Sequence, residues 1–153
     1  MNFFIHAIGF MKKNQPEERL VRDYFSKIKG KAEVREYEER KNLPVPVLKK
    51  NEAALLLKDL PEKVFVVALD EHGCQMDSVA FADLIQKVQN RGFSKMAFLI
   101  GGAFGHGEEV KERADMLLSL GKMTLPHFLA RAVLAEQLYR AQTILDGHPY
   151  HKE

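Results

Sequence analysis

Short runs of apolar residues alternate along this chain with longer segments in which apolar residues recur every three or four positions. The short runs are typical of buried strands, and they lie at residues 3–8, 64–69, 95–100 and 116–120. The helical spacing predicts amphipathic helices at residues 20–28, 52–60, 77–92, 108–114 and 127–145. We therefore predict an α/β layered fold with a mostly parallel sheet, in which residues 1–153 form a single domain.

Local signals refine this pattern. Residues 31–38 alternate between small or apolar and charged side chains, which predicts a half-exposed strand near an edge of the sheet. Two prolines within residues 43–46 predict a loop, and the three leucines at 55–57 are expected to face inward. A polar turn at residues 69–73 is expected to end the preceding strand, and Asp77 is a candidate N-cap.

Composition limits the classes of protein that remain. The chain has 153 residues and a formal net charge of +2, so its overall field is too weak to hold nucleic acid and an RNA partner needs a local patch. The single cysteine, Cys74, excludes an internal disulfide framework and suits a reducing cytoplasm. No stretch approaches the roughly 20 apolar residues of a membrane span, and the apolar amino terminus lacks the basic lead of a secretory signal.

The most informative motif is a glycine-rich loop that follows the predicted strand at 95–100. Gly101, Gly102, Gly105 and Gly107 permit close approach of a ligand to the backbone. Their spacing fits neither the dinucleotide fingerprint nor the Walker loop. A ligand here would lie at the carboxyl end of a parallel strand, where open α/β sheets usually bind small molecules. The alternative is a tight turn without a ligand.

Two further loops are expected at the same edge of the sheet. Residues 69–73 include Asp70, which either binds a ligand or forms a turn. Residues 120–127 are extended and apolar, and their backbone groups could hold a flat heterocycle among leucine and methionine side chains. For Lys122 and Met123 a plain surface turn is the alternative.

The helix at 127–145 has two apolar stripes. Ala130, Leu134, Leu138, Ala141 and Leu145 form one stripe, and Leu129, Val133 and Ile144 form the other. One stripe should cover the sheet, and the simplest partner for the other is a second copy of the chain. Glu136 and Arg140 are spaced as an i,i+4 pair and could form only an ion pair.

The carboxyl terminus collects groups that stack, carry charge or transfer protons. Residues 148–153 include His148, Tyr150, His151 and Lys152. The two histidines lack the further ligands of a metal site, so no metal is expected. A frayed, inert terminus is the alternative. His6, His72 and His106 have no local partners that would nominate them as catalysts.

Taken together, these motifs resemble one known family. The residues that carry the resemblance are FLIGGAFG at 98–105, LSL at 118–120, TLPH at 124–127, AEQLYRA at 135–141 and HPYHK at 148–152, with Leu69, Asp70 and Gly73. In order and spacing they are similar to the RlmH family of SPOUT-superfamily methyltransferases, over the whole chain. One departure is Lys152, where arginine is frequent in the family. Lysine keeps the positive charge but lacks the planar guanidinium that can donate two parallel hydrogen bonds.

The resemblance implies a C-terminal trefoil knot, a homodimer, and methylation of N3 of a pseudouridine in large-subunit (23S) ribosomal RNA within the ribosome. It implies S-adenosyl-L-methionine as cofactor, bound by residues carried over by motif: Leu69, Gly101, Gly102, Leu120, Gly121, Lys122, Met123, Thr124 and Leu125. The trefoil knot would be an exception to the rule that chains do not thread their own loops.

Such a transfer needs the donor carbon and acceptor nitrogen held in line, and the N3 proton must leave. The candidate catalytic residues are His127, Glu136, Tyr150 and His151, with Arg131 and Arg140 as candidates for orienting the RNA. Two alternatives stay open. One is a non-catalytic ribosome-binding or assembly protein, and the other is a SPOUT methyltransferase that acts on a different RNA.

Overall fold

The computed structural model describes residues 1–152, and Glu153, the last residue of the predicted tail, lies outside the described residues. Strands and helices alternate along the chain. They are β1 (Asn2–Ile8), α1 (Pro16–Lys27), β2 (Ala32–Tyr37), α2 (Val45–Lys58), β3 (Phe65–Gln75), α3 (Ser78–Asn90), β4 (Lys95–Ile100), α4 (Glu108–Arg113), β5 (Met116–Ser119) and α5 (His127–Leu145). No helix among residues 1–152 is both long and apolar enough to cross a membrane.

The five strands form one sheet in the order β2-β1-β4-β3-β5, and every neighbouring pair is parallel. The predicted α/β class and parallel sheet are therefore confirmed, and β2 lies at an edge as its alternating pattern predicts. Because all strands run in one direction, the loops that follow them leave from one edge, which we call the carboxyl edge. The trefoil knot stays a prediction.

Helices cover both faces of the sheet. On one face, Phe3, Val67 and Phe98 pack against residues of α3 and α5, including Phe81 and Leu134. On the other face, a second cluster joins the sheet to α2 and α4; its members include Phe4, Val66, Leu99, Leu56 and Val110. Strands buried on both faces explain the continuous apolar runs in the sequence.

The predicted loop at residues 43–46 is wrong, because α2 already begins at Val45. Pro46 lies in the first helical turn, where the missing amide would have no intrahelical partner. The expectation for the three leucines is also wrong in part. Leu56 is buried, whereas Leu55 and Leu57 are only partly covered, since consecutive helical residues point in different directions.

The predicted end of β3 is wrong as well. The strand continues to Gln75, and its pairing with β5 is interrupted by a bulge, so that Leu69 and Cys74 both pair with Leu118. The residues in the bulge are those predicted as a polar turn. Gly73 returns the strand to its partner, because a Cβ there would lie 2.6 Å from the Leu117 carbonyl carbon. A side chain at this position would separate the two strands.

The face of α5 between the two predicted stripes is covered by α1. Ala132 and Ala135 of α5 are buried against Val21 of α1. Leu134 and Leu138 are fully buried in the core beneath the sheet. Of the second predicted stripe, Val133 and Ile144 are only partly buried, and its contact with a second copy stays a prediction. Leu129 stays 39% exposed on the helix surface.

Candidate active site

A cavity of about 820 Å³ opens at the carboxyl edge. Its volume lies within the range of small-molecule sites. All three loops that the sequence places at this edge line the cavity. Of the predicted cofactor-binding residues, those in the lining are Leu69, Gly101, Gly102, Leu120, Gly121, Met123, Thr124 and Leu125. Lys122 is exposed and does not line the cavity.

The glycine-rich loop folds back on itself as a tight turn. The amide of Gly105 donates to the carbonyl of Gly102 at 3.1 Å, and Gly105 has a φ of +81° that favours glycine. A Cβ on Gly101 would lie 3.1 Å from His106 Nδ1 and 3.2 Å from the Gly105 carbonyl carbon. A side chain on Gly101 would therefore strain the loop itself, not only the space of a ligand.

His106 lies beneath this loop and lines the cavity, although sequence reasoning set it aside. Its Nε2 donates to the carbonyl of Leu99 at 3.1 Å, and its Nδ1 has no partner among residues 1–152. Burial lowers the pKa of His106, so the ring is neutral and Nδ1 is an acceptor. The single available signal was a histidine between two glycines after a buried strand.

Glu52 supports the loop from the opposite side and was also missed. It is a buried residue of α2, and a Cβ on Gly102 would lie 3.0 Å from both of its carboxylate oxygens. Burial, followed by the charge of Glu39, raises the pKa of Glu52. Its Oε1 has no partner in the described part of the chain. A glutamate in an amphipathic helix ordinarily predicts a solvated position, so the sequence concealed this role.

Asp70 forms the turn that the sequence offered as one alternative, while ligand binding by its carboxylate stays a prediction. Its Oδ1 accepts a hydrogen bond from the amide of His72 at 2.8 Å, which is an ordinary turn contact. The same residue also lines the cavity. It therefore adds a carboxylate to a lining that is otherwise rich in leucine and glycine.

The candidate catalytic residues divide into separate groups. His127 begins α5 and lines the cavity. Arg131 follows one turn later, but its guanidinium is fully buried. It donates to Glu36 and to the carbonyls of Ile8 and Gly9 at 2.9 and 2.7 Å. The prediction that Arg131 orients RNA is therefore wrong for this structure, in which it ties α5 to the end of β1.

Glu136, Arg140, Tyr150 and His151 form a compact group that we call the tail cluster. Arg140 pairs with Glu136 at 2.8 Å, as the i,i+4 spacing allows. The Tyr150 hydroxyl donates to Glu136 Oε2 at 2.8 Å, and Arg140 Nη1 lies 3.0 Å from His151 Nδ1. The Arg140 guanidinium also stacks 4.7 Å from the centre of the Tyr150 ring. As far as His151 the tail is thus docked on α5 rather than frayed.

These contacts define which groups of the tail cluster donate and which accept hydrogen bonds. Burial, with the hydrogen bond to Glu136, raises the pKa of Tyr150, so its phenol stays protonated at neutral pH. Arginine can only donate, so His151 Nδ1 must be the acceptor in its contact with Arg140. Tyr150 is therefore a hydrogen-bond donor here, and His151 Nδ1 is a hydrogen-bond acceptor.

The tail cluster does not line the cavity of its own chain. Glu136 and Arg140 lie about 14 and 20 Å from His127 along the axis of α5, at 1.5 Å per residue. One chain therefore presents the two predicted halves of the site at separate places. Within residues 1–152, no group of three or more histidine, cysteine or acidic side chains is arranged to hold a metal.

The sequence matches known proteins over nearly its whole length. Residues 1–151 match the family model described as a predicted SPOUT methyltransferase. The chain is 51% identical over 152 residues to ribosomal RNA large subunit methyltransferase H of Paramagnetospirillum magneticum, and 47% identical to that of Rhodospirillum rubrum; each match covers 99% of both chains. The crystal structure of the SpoU methyltransferase AviRb from Streptomyces viridochromogenes aligns with a TM-score of 0.46 at 12% identity, covering 95% of this chain and 60% of that one. The chain therefore belongs to the SPOUT methyltransferase family, in the group of ribosomal RNA large subunit methyltransferase H proteins.

Proposed function

We propose that this protein transfers a methyl group from S-adenosyl-L-methionine to N3 of a pseudouridine in large-subunit ribosomal RNA. It acts as a homodimer on the assembled ribosome, in the cytoplasm. The observation that carries the proposal is the cavity at the carboxyl edge, since three loops far apart in sequence line it together. Membership of the large-subunit methyltransferase H group supports ribosomal RNA as substrate. The choice of pseudouridine N3 rests on the motifs shared with the RlmH family.

The residues of the cavity fit this cofactor. Leu69, Ile100 and Leu120 provide apolar walls for a flat heterocycle. Asp70 adds a carboxylate that favours a sulfonium cation, and the buried Nδ1 of His106 is an acceptor still without a partner in the described chain. When bound, S-adenosyl-L-methionine supplies an electrophilic methyl group on its sulfur.

The remaining task of the protein is to position the base and accept one proton. His127 lines the cavity, and an imidazole nitrogen there is a chemically suitable proton acceptor. Tyr150 is unsuited to accept a proton, because burial raises its pKa and its hydroxyl already donates to Glu136. The Nδ1 of His151 could accept a proton only after Arg140 releases it. We therefore assign the acceptor to His127 in the first place, with His151 second.

A homodimer would unite the two halves of the site. Along α5, Glu136 and Arg140 lie about 9 and 15 Å beyond Ala130, the last residue of this helix in the cavity lining, and neither lines the cavity of its own chain. A twofold arrangement around the exposed side of α5 would bring the tail cluster of one protomer beside the cavity of its partner. Glu136 would then hold the guanidinium of Arg140 in a fixed orientation towards the RNA.

Mass mapping of large-subunit RNA tests this function. RNA from a strain without the gene should lack one methyl group on a pseudouridine, and the chain should restore it on complementation. Purified protein should methylate assembled ribosomes rather than free RNA. A non-catalytic ribosome-binding protein would show no cofactor-dependent thermal shift and no missing methyl group. A methyl group missing from a transfer RNA would instead support the other SPOUT alternative.

A further inference from the structure

The chain leaves β1 beside the mouth of the cavity. Gly9 has a φ of +104°, and a Cβ there would lie 3.3 Å from Cε1 of the Phe128 ring. Phe128 follows His127, which lines the cavity. Residues 10–13, which we call the basic loop, therefore start next to the site and at the same edge of the sheet.

The main chain of the basic loop is held in place. The amide of Met11 donates to Glu36 Oε2 at 2.8 Å, and the amide of Lys12 donates to Gln15 Oε1 at 2.8 Å. The amide of Gln15 donates back to the carbonyl of Lys12 at 3.2 Å. The side chains of Phe10, Lys12 and Lys13 stay exposed on this fixed turn. Because this backbone is already fixed, little further backbone entropy is lost when a partner binds.

The charge of this surface is positive and largely uncompensated. In the region covered by residues 1–152, neither Lys12 nor Lys13 forms an ion pair. The neighbouring strand β2 is followed by a loop with Arg40 and Lys41, of which Arg40 pairs with Glu38 at 3.6 Å. The adjacent Glu39 accepts hydrogen bonds from the Lys41 amide and from Asn51. The basic loop thus supplies the local patch that a chain of net charge +2 needs to bind RNA.

Phe10 adds a second kind of contact. Its ring is 51% exposed, although a phenylalanine is usually buried. An exposed aromatic ring beside lysines is suited to stack on an unpaired base while the ammonium groups meet phosphates. A second copy of this chain is a poorer occupant, because a twofold contact would bring like charges together.

We propose that the basic loop is an RNA-contact surface that binds an unpaired segment of the substrate next to the target base. This inference rests on the proposed function, and it assigns Phe10 to base stacking and Lys12 and Lys13 to phosphate contacts. It predicts that the surface acts on RNA affinity and leaves the cofactor site unaffected, since none of the three residues lines the cavity.

Binding to purified ribosomes by the full-length protein tests the inference. K12E/K13E should bind at least about tenfold more weakly than wild type. Its affinity should also depend less steeply on salt concentration, by a slope that corresponds to about two released counterions. K12R/K13R should bind ribosomes with wild-type affinity. F10A should bind about tenfold more weakly, whereas F10Y should retain wild-type affinity because it keeps an aromatic ring. The matched control is K63E/K87E, which makes the same change of charge at two exposed lysines away from the carboxyl edge. The affinity of K63E/K87E for ribosomes should stay within about twofold of wild type, because only residues near the bound RNA contact its phosphates.

Separate readouts distinguish the possible failures. Cofactor affinity by calorimetry and the mass by light scattering should be the same for K12E/K13E and wild type. Wild-type affinity of K12E/K13E for ribosomes would overturn the inference, and a changed mass would identify the basic loop as a protein contact instead. Wild-type protein that binds ribosomes but transfers no methyl group would refute the proposed function alone, since the inference is judged by binding. Wild-type protein that binds no ribosomes would refute the inference too.

Discussion

Arg131 reaches from the second turn of α5 to Glu36 on β2, and its buried guanidinium also donates to the carbonyls of Ile8 and Gly9. The ring of Phe128 lies 4.9 Å from the Arg131 guanidinium carbon. These contacts join the start of α5 to the ends of β1 and β2, and the same part of α5 presents His127 to the cavity. A buried arginine thereby sets the position of a residue that we place in the active site.

Replacing Arg131 with methionine should destabilise the fold by about 3–5 kcal/mol, because Glu36 and two carbonyls would lose their partner in the interior. Arg131→Lys should destabilise the fold less than Arg131→Met, because it keeps the positive charge, although it lacks the planar guanidinium. Urea unfolding followed by circular dichroism measures both. The matched control is Arg22→Met, which removes a surface ion pair with Glu18 and should cost no more than about 1 kcal/mol. Wild-type stability of R131M would show that these contacts are dispensable.

Gly101→Val should reduce cofactor affinity more than tenfold while the protein stays folded. The added side chain would meet His106 Nδ1 and the Gly105 backbone, so the loop must shift away from the geometry that lines the cavity. Calorimetry with S-adenosyl-L-methionine measures the affinity. Ala80→Val is the control, because it adds the same side chain at an exposed position of α3. Unchanged affinity in a folded G101V protein would remove this loop from the site.

Much of this architecture could be predicted from the sequence because it depends on local pattern. Continuous apolar runs identified the buried strands, and Asp77 was correctly predicted as an N-cap, since its side chain accepts from the Ala80 amide. The three loops of the cavity followed from parallel strands, which bring their carboxyl ends to one edge.

The rest depended on contacts between residues distant in sequence. The buried state of Arg131 arises from Glu36 and from carbonyls more than a hundred positions away. The position of Glu52 beneath Gly102 likewise joins two elements that no local pattern relates. The bulge in β3 depends on how its strand fits β5, and periodicity within one strand does not report on the partner.

Protein stability should decrease as the pH falls through 6.5. Burial lowers the pKa of His6 and His106 below the value of 6.5 for an unperturbed histidine. The unfolded state therefore binds more protons in acid, and the contribution of each neutral ring is complete above 6.5 and declines below it. The decline approaches about 1.4 kcal/mol per pH unit for each histidine.

Urea unfolding between pH 7.5 and 5 checks this pH dependence. His6→Asn and His106→Gln should each show a flatter profile than wild type, whereas His72→Gln, at an exposed position, should follow it. Burial raises the pKa of Glu52, so its contribution to stability changes with pH in the opposite direction. Because Glu52 is present in all four proteins, it does not affect the comparison of their slopes. Equal slopes in all four proteins would contradict the prediction.

Light scattering at micromolar concentration should give the mass of a dimer. Leu129 is 39% exposed on α5, close to the residues that line the cavity, and we expect it at the subunit contact. Leu129→Glu should shift the protein towards monomer, because the contact would bury an unpaired charge. Leu20→Glu is the control, since Leu20 is 43% exposed on α1. A monomeric wild-type protein would refute the homodimer.

Deletion of residues 150–153 should abolish methylation of ribosomes and spare most cofactor binding. Tyr150 and His151 contact Glu136 and Arg140 but do not line the cavity, so the cofactor should depend on the three loops instead. Wild-type activity of the truncated protein would show that the tail is inert and leave His127 as the acceptor to test.

Mixing two inactive proteins tests whether the tail acts on the partner's cavity. G101V lacks a cavity that binds cofactor but keeps its tail, and the truncated chain has the reverse defects. If the tail of one protomer completes the site of the other, each mixed dimer contains one site with both halves intact. Subunit exchange at equal concentrations should then restore about a quarter of the wild-type sites, because half of the dimers are mixed. If the tail acted on its own chain, neither site of a mixed dimer would be complete and the mixture would stay inactive. Activity of the mixture therefore separates the two arrangements, and its absence would contradict the composite site proposed for the homodimer.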